Sequence, residues 1–318
     1  MGVYKIERFI YVDTFIGYMF LDVRKHGKNV KYYLAHSYRV GDKVKRISRY
    51  LGSNLSEEKL EKLRQRAEQL ILQQTKERSI FEFELSKKEI KEYKRYDSRV
   101  AIEHFQKKLN WKEFTEEFTY NTNAIEGSTL AYSDVKKIIE KREMPSNADE
   151  LEAIGVPRAV SYIKTTNEKL SVELIKKLHF LCFEKTKYFA GQLRDVDVVI
   201  RNRYGDIVHR GAPRKDVEKL LNNLVGWYGK HKNRYPPLLL AALMHNEFEN
   251  IHPFQDGNGR VGRLLLNYIL IKHNYPPLNI RFGDRQAYYG ILQQFEKKNN
   301  IKPTLQFFIS QYRKQYRG

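Results

Sequence analysis

Residues 236–277 read PPLLLAALMHNEFENIHPFQDGNGRVGRLLLNYILIKHNYPP. Pro236-Pro237 open an apolar run, Leu238–Ile251, that is hydrophobic on most of its sides. A second apolar run, Asn258–His273, ends near Asn274 and Pro276-Pro277. Proline lacks an N–H and fixes φ, so it punctuates helices at their ends rather than sitting inside them. A helix apolar nearly all round belongs at the centre of a fold. The stretch therefore predicts two central helices joined by a polar, glycine-bearing loop.

Working outward, spacings of three and four between apolar residues predict further helices over Ser133–Lys141, Ala148–Thr165, Ser171–Thr186 and Asp216–Lys230 before the central pair. Two more follow it, at Asp284–Lys297 and Pro303–Arg317. One interruption stands out. Val196–Ile200 and Ile207–His209 flank the polar segment Arg201–Asp206 and read as a β-hairpin in a helical domain. The N-terminal region differs. Gly17–Val23, Val30–Tyr38 and Val44–Leu51 are rich in aromatic and β-branched residues and predict an antiparallel meander, with turns at His26–Asn29 and Val40–Lys43. A helix starts near Ser56, with Leu60, Leu63, Ala67, Leu70 and Ile71 at helical spacing, and charged residues dominate 76–99 as a solvated helix pair. The expected division is a basic β-rich module over 1–54, a helical connector over 55–110 and a helical domain over 111–318. The fold class is mainly α.

Composition narrows the class of molecule. With 318 residues the chain can bury a core without covalent staples. A single cysteine, Cys182, excludes an intramolecular disulfide framework and any zinc site built from several cysteines; it lies in an apolar helix stretch and reads as core. The apolar stretch Phe9–Val23 is broken by Asp13 and Asp22, so neither a signal segment nor a membrane span is expected there, and Ile6 spoils a myristoylation signal behind Gly2. The expected location is cytoplasmic. Net charge is +20, and residues 1–54 carry 11 basic against 4 acidic side chains. Such an excess suits polyanions; solvated surface lysine is the plainer alternative.

The loop between the central helices carries the chemistry: His252-Pro253-Phe254-Gln255-Asp256-Gly257-Asn258-Gly259-Arg260-Val261-Gly262-Arg263. Gly257 and Gly259 allow a ligand close to the backbone, and the free N–H groups of a helix start make an anion site. Arg260 and Arg263, three apart, share a helix face and can clamp adjacent phosphates. Asp256 is a hard oxygen ligand suited to Mg²⁺ shared with phosphates. His252 is the nearby side chain able to accept a proton near neutral pH. Together these describe phosphate-ester chemistry, in which a histidine deprotonates an incoming hydroxyl. The bland alternative is a tight turn with a core histidine and surface arginines.

The same twelve residues resemble, at every fixed position, the signature of the Fic family, His-Pro-Phe-x-Asp-Gly-Asn-Gly-Arg-x-x-Arg, and the resemblance extends over about residues 115–318. It implies a Fic helical domain with a β-hairpin flap, and an adenylyltransferase that moves AMP from ATP onto a Ser, Thr or Tyr hydroxyl of a target protein. By that resemblance His252 is the general base and Asp256 holds Mg²⁺. Gly257, Asn258 and Gly259 line the α- and β-phosphate site, Arg260 contacts the phosphates, and Arg263 takes the γ-phosphate. Tyr288 and Tyr289 fall where the family places nucleotide-pocket residues; the alternative is two core aromatics. The hairpin corresponds to the flap, whose Val198, Val199, Ile200, Ile207, Val208 and His209 would pair with the target segment by strand addition. Relatives that phosphorylate carry Lys where this chain has Gly259, so AMP transfer is expected over kinase activity.

Thr122-Asn123-Ala124-Ile125-Glu126-Gly127 fits the family's inhibitory pattern, Ser/Thr-x-x-x-Glu-Gly/Asn. A carboxylate reaching Arg263 would fill the fork meant for the γ-phosphate; otherwise Glu126 is a solvated helix end. The same glutamate permits an alternative, a deAMPylating hydrolase or a bifunctional enzyme. An alternative of another class is a nucleic-acid-associated regulatory protein with a dormant nucleotide site. It rests on Tyr32, Tyr33, Tyr38, Arg39, Lys43, Lys45, Arg46 and Arg49 in the basic module, which could instead dock targets or support a dimer. Nucleic acid is not the favoured partner. ATP and a target protein are, and a homodimer is in keeping with the resemblance. His245 and His252 with Glu247 or Glu249 lack zinc-protease spacing, so His245 reads as a packed helix histidine. Arg194, in Gly191-Gln192-Leu193-Arg194, reads as structural.

Overall fold

The computed structural model describes residues 18–27, 29–40, 43–79, 85–100, 102–141, 144–201, 204–205, 207–298 and 300–316. The expectations on Phe9–Gly17, Gly2, Ile6, Gly41-Asp42 and the hairpin tip at 202–203 and 206 lie outside the described residues, as do the side chains of Tyr38, Arg39 and Lys43. The chain forms two compact units, Met1–Ile90 and Lys91–Gly318. The boundary falls inside a helix, α2 (Lys87–Asp97), whereas the three-part division of the sequence follows patterning rather than compactness.

The first unit is the meander: β1 (Tyr18–His26), β2 (Asn29–Val40) and β3 (Lys43–Ser53), antiparallel in the order β1-β2-β3, followed by α1 (Glu57–Ser79). Side chains alternate across a strand, so one face carries Met19, Leu34 and Ile47, and these close with Leu51 on Ala67 and Ile71 of α1. A register shift between Tyr32 and Tyr33 bulges β2 against β3.

The second unit is helical. After α3 (Ile102–Lys108) come α4 (Trp111–Ile125), α5 (Tyr132–Ile139), α6 (Ala148–Thr165), α7 (Val172–Phe183), α8 (Val217–His231), α9 (Pro237–Ile251), α10 (Asn258–Lys272), α11 (Arg285–Lys298) and α12 (Lys302–Tyr316). The helix expected from Ser171 stops at Phe183, three residues early. Starts are marked by side chains that accept from otherwise orphaned N–H groups: Asn110 for α4, Asn147 for α6 and Ser171 for α7. α9 and α10 pack on each other at the centre, with α8, α11 and α12 against α9 and α4, α6 and α7 against α10. Leu238–Phe248 is buried without a break, as its all-round apolar sequence requires. Gly155 lets α6 approach α7 so closely that a Cβ there would strike the Cys182 carbonyl. Cys182 and His245 are buried in this core, where burial pushes the thiol up to about 12 and the imidazole down to about 3. The hairpin is β4 (Val199–Arg201) paired antiparallel with β5 (Ile207–Arg210).

Candidate functional site

The loop from α9 to α10 turns on two left-handed residues. Gly257 (φ 81°) occupies its place without cost, and a Cβ there would overlap the Phe183 ring. His252 (φ 53°, ψ 62°) is a non-glycine residue in that region, a strained conformation that its surroundings must impose. Arg194 imposes it: Nε donates to the His252 carbonyl at 2.7 Å, and the same guanidinium reaches the carbonyls of Val196, Ala212 and Ile251. One buried cation thus ties the strained turn to both ends of the hairpin segment. Asn258 closes the loop from inside, its amide donating to and accepting from the Phe254 backbone at 2.8 Å. His179 supports it from α7: Nδ1 accepts from Gly191 N–H, which leaves Nε2 to donate to the Asp256 carbonyl at 3.1 Å, with the ring stacked on Phe254.

His252 Nδ1 lies 3.3 Å from the Glu249 carbonyl and donates to it, leaving Nε2 with a lone pair. Burial, with His209 close by (rings 5.6 Å apart), pushes its pKa down to about 4, so the imidazole is neutral at physiological pH. Asp256 is half exposed; Lys187 Nζ lies 2.8 Å from its carboxylate and Arg260 is 4.0 Å away. Burial resists the charge, yet these cations hold the carboxyl below its usual range. Lys187 also reaches Glu152 at 3.1 Å, and Glu152 pairs with Arg260. Among the described residues no cluster of three His, Cys, Asp or Glu side chains is placed to hold a metal on its own. Asp256, a single accessible carboxylate, fits a cation that draws its other oxygens from a phosphate ligand.

Arg263 is almost wholly buried and fully engaged. Its Nη2 meets Glu126 Oε1 at 2.7 Å and the Thr122 carbonyl at 3.0 Å, and its Nε meets Thr122 Oγ1 at 2.7 Å. Burial works against this charge, but Glu126, with Glu249 and Tyr288 nearby, holds the guanidinium above its ordinary pKa. Glu126 sits at the C-cap of α4, where Gly127 (φ 101°) turns the chain, and its carboxylate lies over Gly259, so that a Cβ there would collide with it. Tyr289 donates to the Ile125 carbonyl at 2.8 Å and so fastens the end of the same helix. Tyr288 lies behind Arg263, 1% exposed, its hydroxyl 2.9 Å from His245 Nε2. In the hairpin, Val199 and Ile200 are exposed and His209 faces Glu296 at 3.1 Å.

The geometry thus gathers His252, Asp256, Gly257, Gly259, Arg260, Arg263, Glu126 and Thr122 around one loop. It adds Glu152, Lys187 and His179, which no local pattern marks.

Residues 169–270 match the Fic/DOC family. Over these residues the chain is similar to Fic domains. The protein adenylyltransferase Fic of Nematostella vectensis is 33% identical over 205 residues, 62% of this chain and 46% of that protein. That of Aedes aegypti is 30% identical over 205 residues, 62% of this chain and 40% of that one. The chain thus matches less than half the length of either relative. A Fic domain containing signaling protein from Bacteroides thetaiotaomicron superposes with a TM-score of 0.58 at 26% identity, over 72% of this chain and 95% of that one. The Fic domain match spans α7 to α10, the helices that build the loop.

Proposed function

We propose that this chain is a Mg²⁺- and ATP-dependent protein adenylyltransferase that Glu126 holds in an inactive state. The observation that carries the reading is the Glu126–Arg263 contact of 2.7 Å beside the loop that presents His252. The naming of the curated relatives as adenylyltransferases supports the activity. In the proposed reaction a target hydroxyl gives its proton to His252 Nε2 as its oxygen bonds to the α-phosphorus. The α–β anhydride bond breaks and pyrophosphate leaves. The backbone at the start of α10 and the Arg260 and Arg263 guanidiniums would hold the phosphates, giving orientation and charge stabilisation. Asp256 would hold Mg²⁺, which supplies charge neutralisation at the phosphates when bound. The hairpin edge, with Val199 and Ile200 exposed, would align the target by strand addition.

While Glu126 occupies Arg263, the fork is closed to a γ-phosphate, and the carboxylate repels that anion from the space over Gly259. The test is incubation with Mg²⁺ and ATP labelled on the α-phosphate, read by intact mass and label retention. Glu126→Gly is expected to raise label incorporation at least tenfold over the unmodified chain, and adding His252→Ala to abolish the gain. Equal incorporation with and without Glu126 refutes the brake. Label arriving from the γ-phosphate instead identifies a kinase, and release of AMP from a modified target identifies the hydrolase.

A further inference from the structure

The outward face of the β1–β3 sheet has no part in the chemistry above. Register places Phe20, Asp22 and Arg24 of β1 on that face, with Lys31 and Tyr33 of β2 and Arg46 and Tyr50 of β3. Its organisation centres on Asp22. Oδ2 accepts from Arg24 (Nη2 3.0 Å, Nε 3.3 Å) and from Arg46 (Nη2 2.7 Å), so one carboxylate orients two forks from different strands. Each guanidinium lies on an aromatic ring: Arg24 is 4.3 Å from the Tyr33 centroid and Arg46 is 4.9 Å from that of Phe20. Both arginine side chains remain about half exposed, and Tyr50 beside Tyr33 is 55% exposed. Residues 18–54 contain nine Lys and Arg against two Asp and Glu.

We infer that this face docks into the major groove of duplex DNA. Three observations select that occupant. The excess of positive charge suits a phosphate backbone. Outer strands of a three-stranded sheet stand about 10 Å apart, which suits a groove about 12 Å wide. The forks are oriented before binding by a shared carboxylate, the arrangement that bidentate reading of guanine needs. A single strand would need a row of bare rings for base stacking. Here Tyr33 and Phe20 are covered by arginine, which leaves Tyr50 as the exposed ring among the described side chains of this face.

The experiment uses the full chain and a fluorescein-labelled random duplex of about 30 bp, followed by anisotropy from about 50 to 300 mM salt. Binding that weakens steeply with salt is expected. Arg24→Ala with Arg46→Ala should lose at least tenfold in affinity for a sequence enriched from a duplex library, while the log–log salt slope, set by the phosphate contacts, moves by less than about one. Lys59→Ala with Lys62→Ala removes the same charge from exposed positions on α1 and should change affinity less than threefold. Circular dichroism and the melting temperature establish that both variants fold. Asp22→Asn adds positive charge but releases both forks. It should bind the random duplex at least as tightly while losing about tenfold of its preference for a sequence enriched from a duplex library. No binding at the lowest salt, equal losses in the two double variants, or tighter binding of a single strand of the same length would each overturn the inference.

Discussion

His252 shows how much of a side chain's acid–base chemistry lies in the placing of one residue. Its backbone is held left-handed by Arg194, its Nδ1 is committed to the Glu249 carbonyl, and burial pushes its pKa down to about 4. Folded at neutral pH, the ring is therefore a neutral base with Nε2 available. Protonation removes that base, so activity should be lost only as pH falls through about 4. In Glu126→Gly the initial rate of label incorporation should stay flat from about pH 8 to about pH 5.5. A midpoint near 6.5, the ordinary histidine value, would show that the buried setting does not govern catalysis. His252 and Asp256 were legible in the sequence because their loop is continuous. Lys187 and Glu152 were not: they reach Asp256 and Arg260 across 69 and 108 residues, and no local spacing encodes such a contact.

At the scale of elements, α4 matters through its last turn. Its Thr122–Gly127 pattern was readable, but its start at Trp111 was not marked in advance, and the direction in which Glu126 points depends on what fastens the helix end. Tyr289 does so from α11 by donating to the Ile125 carbonyl. Tyr289→Phe removes that bond, worth about 1 kcal/mol, and should let the turn fray. Basal label incorporation should then rise about threefold while the melting temperature moves little. A rise absent in Tyr289→Phe but present in Glu126→Gly would mean the α4 end is held by packing alone. Adjacent residues on a helix point some 100° apart, so sequence could not assign Tyr288 to the space behind Arg263 and Tyr289 to the end of α4.

Over the whole molecule, stability at high pH bears the mark of Glu247. This α9 carboxylate is 7% exposed, one oxygen has no hydrogen-bond partner, and burial pushes its pKa up to about 8. A carboxylate raised in the folded state is best tolerated below its unfolded pKa, about 4.3. That contribution is lost as pH rises toward about 8. Glu247→Gln mimics the protonated form, so it should raise the melting temperature at pH 8 by about 2–4 °C per kcal/mol recovered, with a smaller gain at pH 5. Calorimetry showing the same difference at both pH values would contradict that account.

The amino-acid sequence by itself determined the mainly helical architecture, the meander, the hairpin and the loop whose residues suit phosphate chemistry. Helical periodicity, proline and glycine punctuation and contiguous motifs act over a few residues, and the chain displays them directly. Only the tertiary structure decided which charges meet. Glu126 lies on Arg263, Glu152 on Arg260 and Lys187 on Asp256, while Asp22 holds two arginines across the sheet. The Glu126–Arg263 contact was expected from the Thr122–Gly127 pattern, and Asp22 and Arg24 share a strand face. Glu152–Arg260, Lys187–Asp256 and Asp22–Arg46 instead join side chains that local patterning leaves independent. Burial decides their outcome, because a charge withdrawn from water requires a partner that the fold must bring to it.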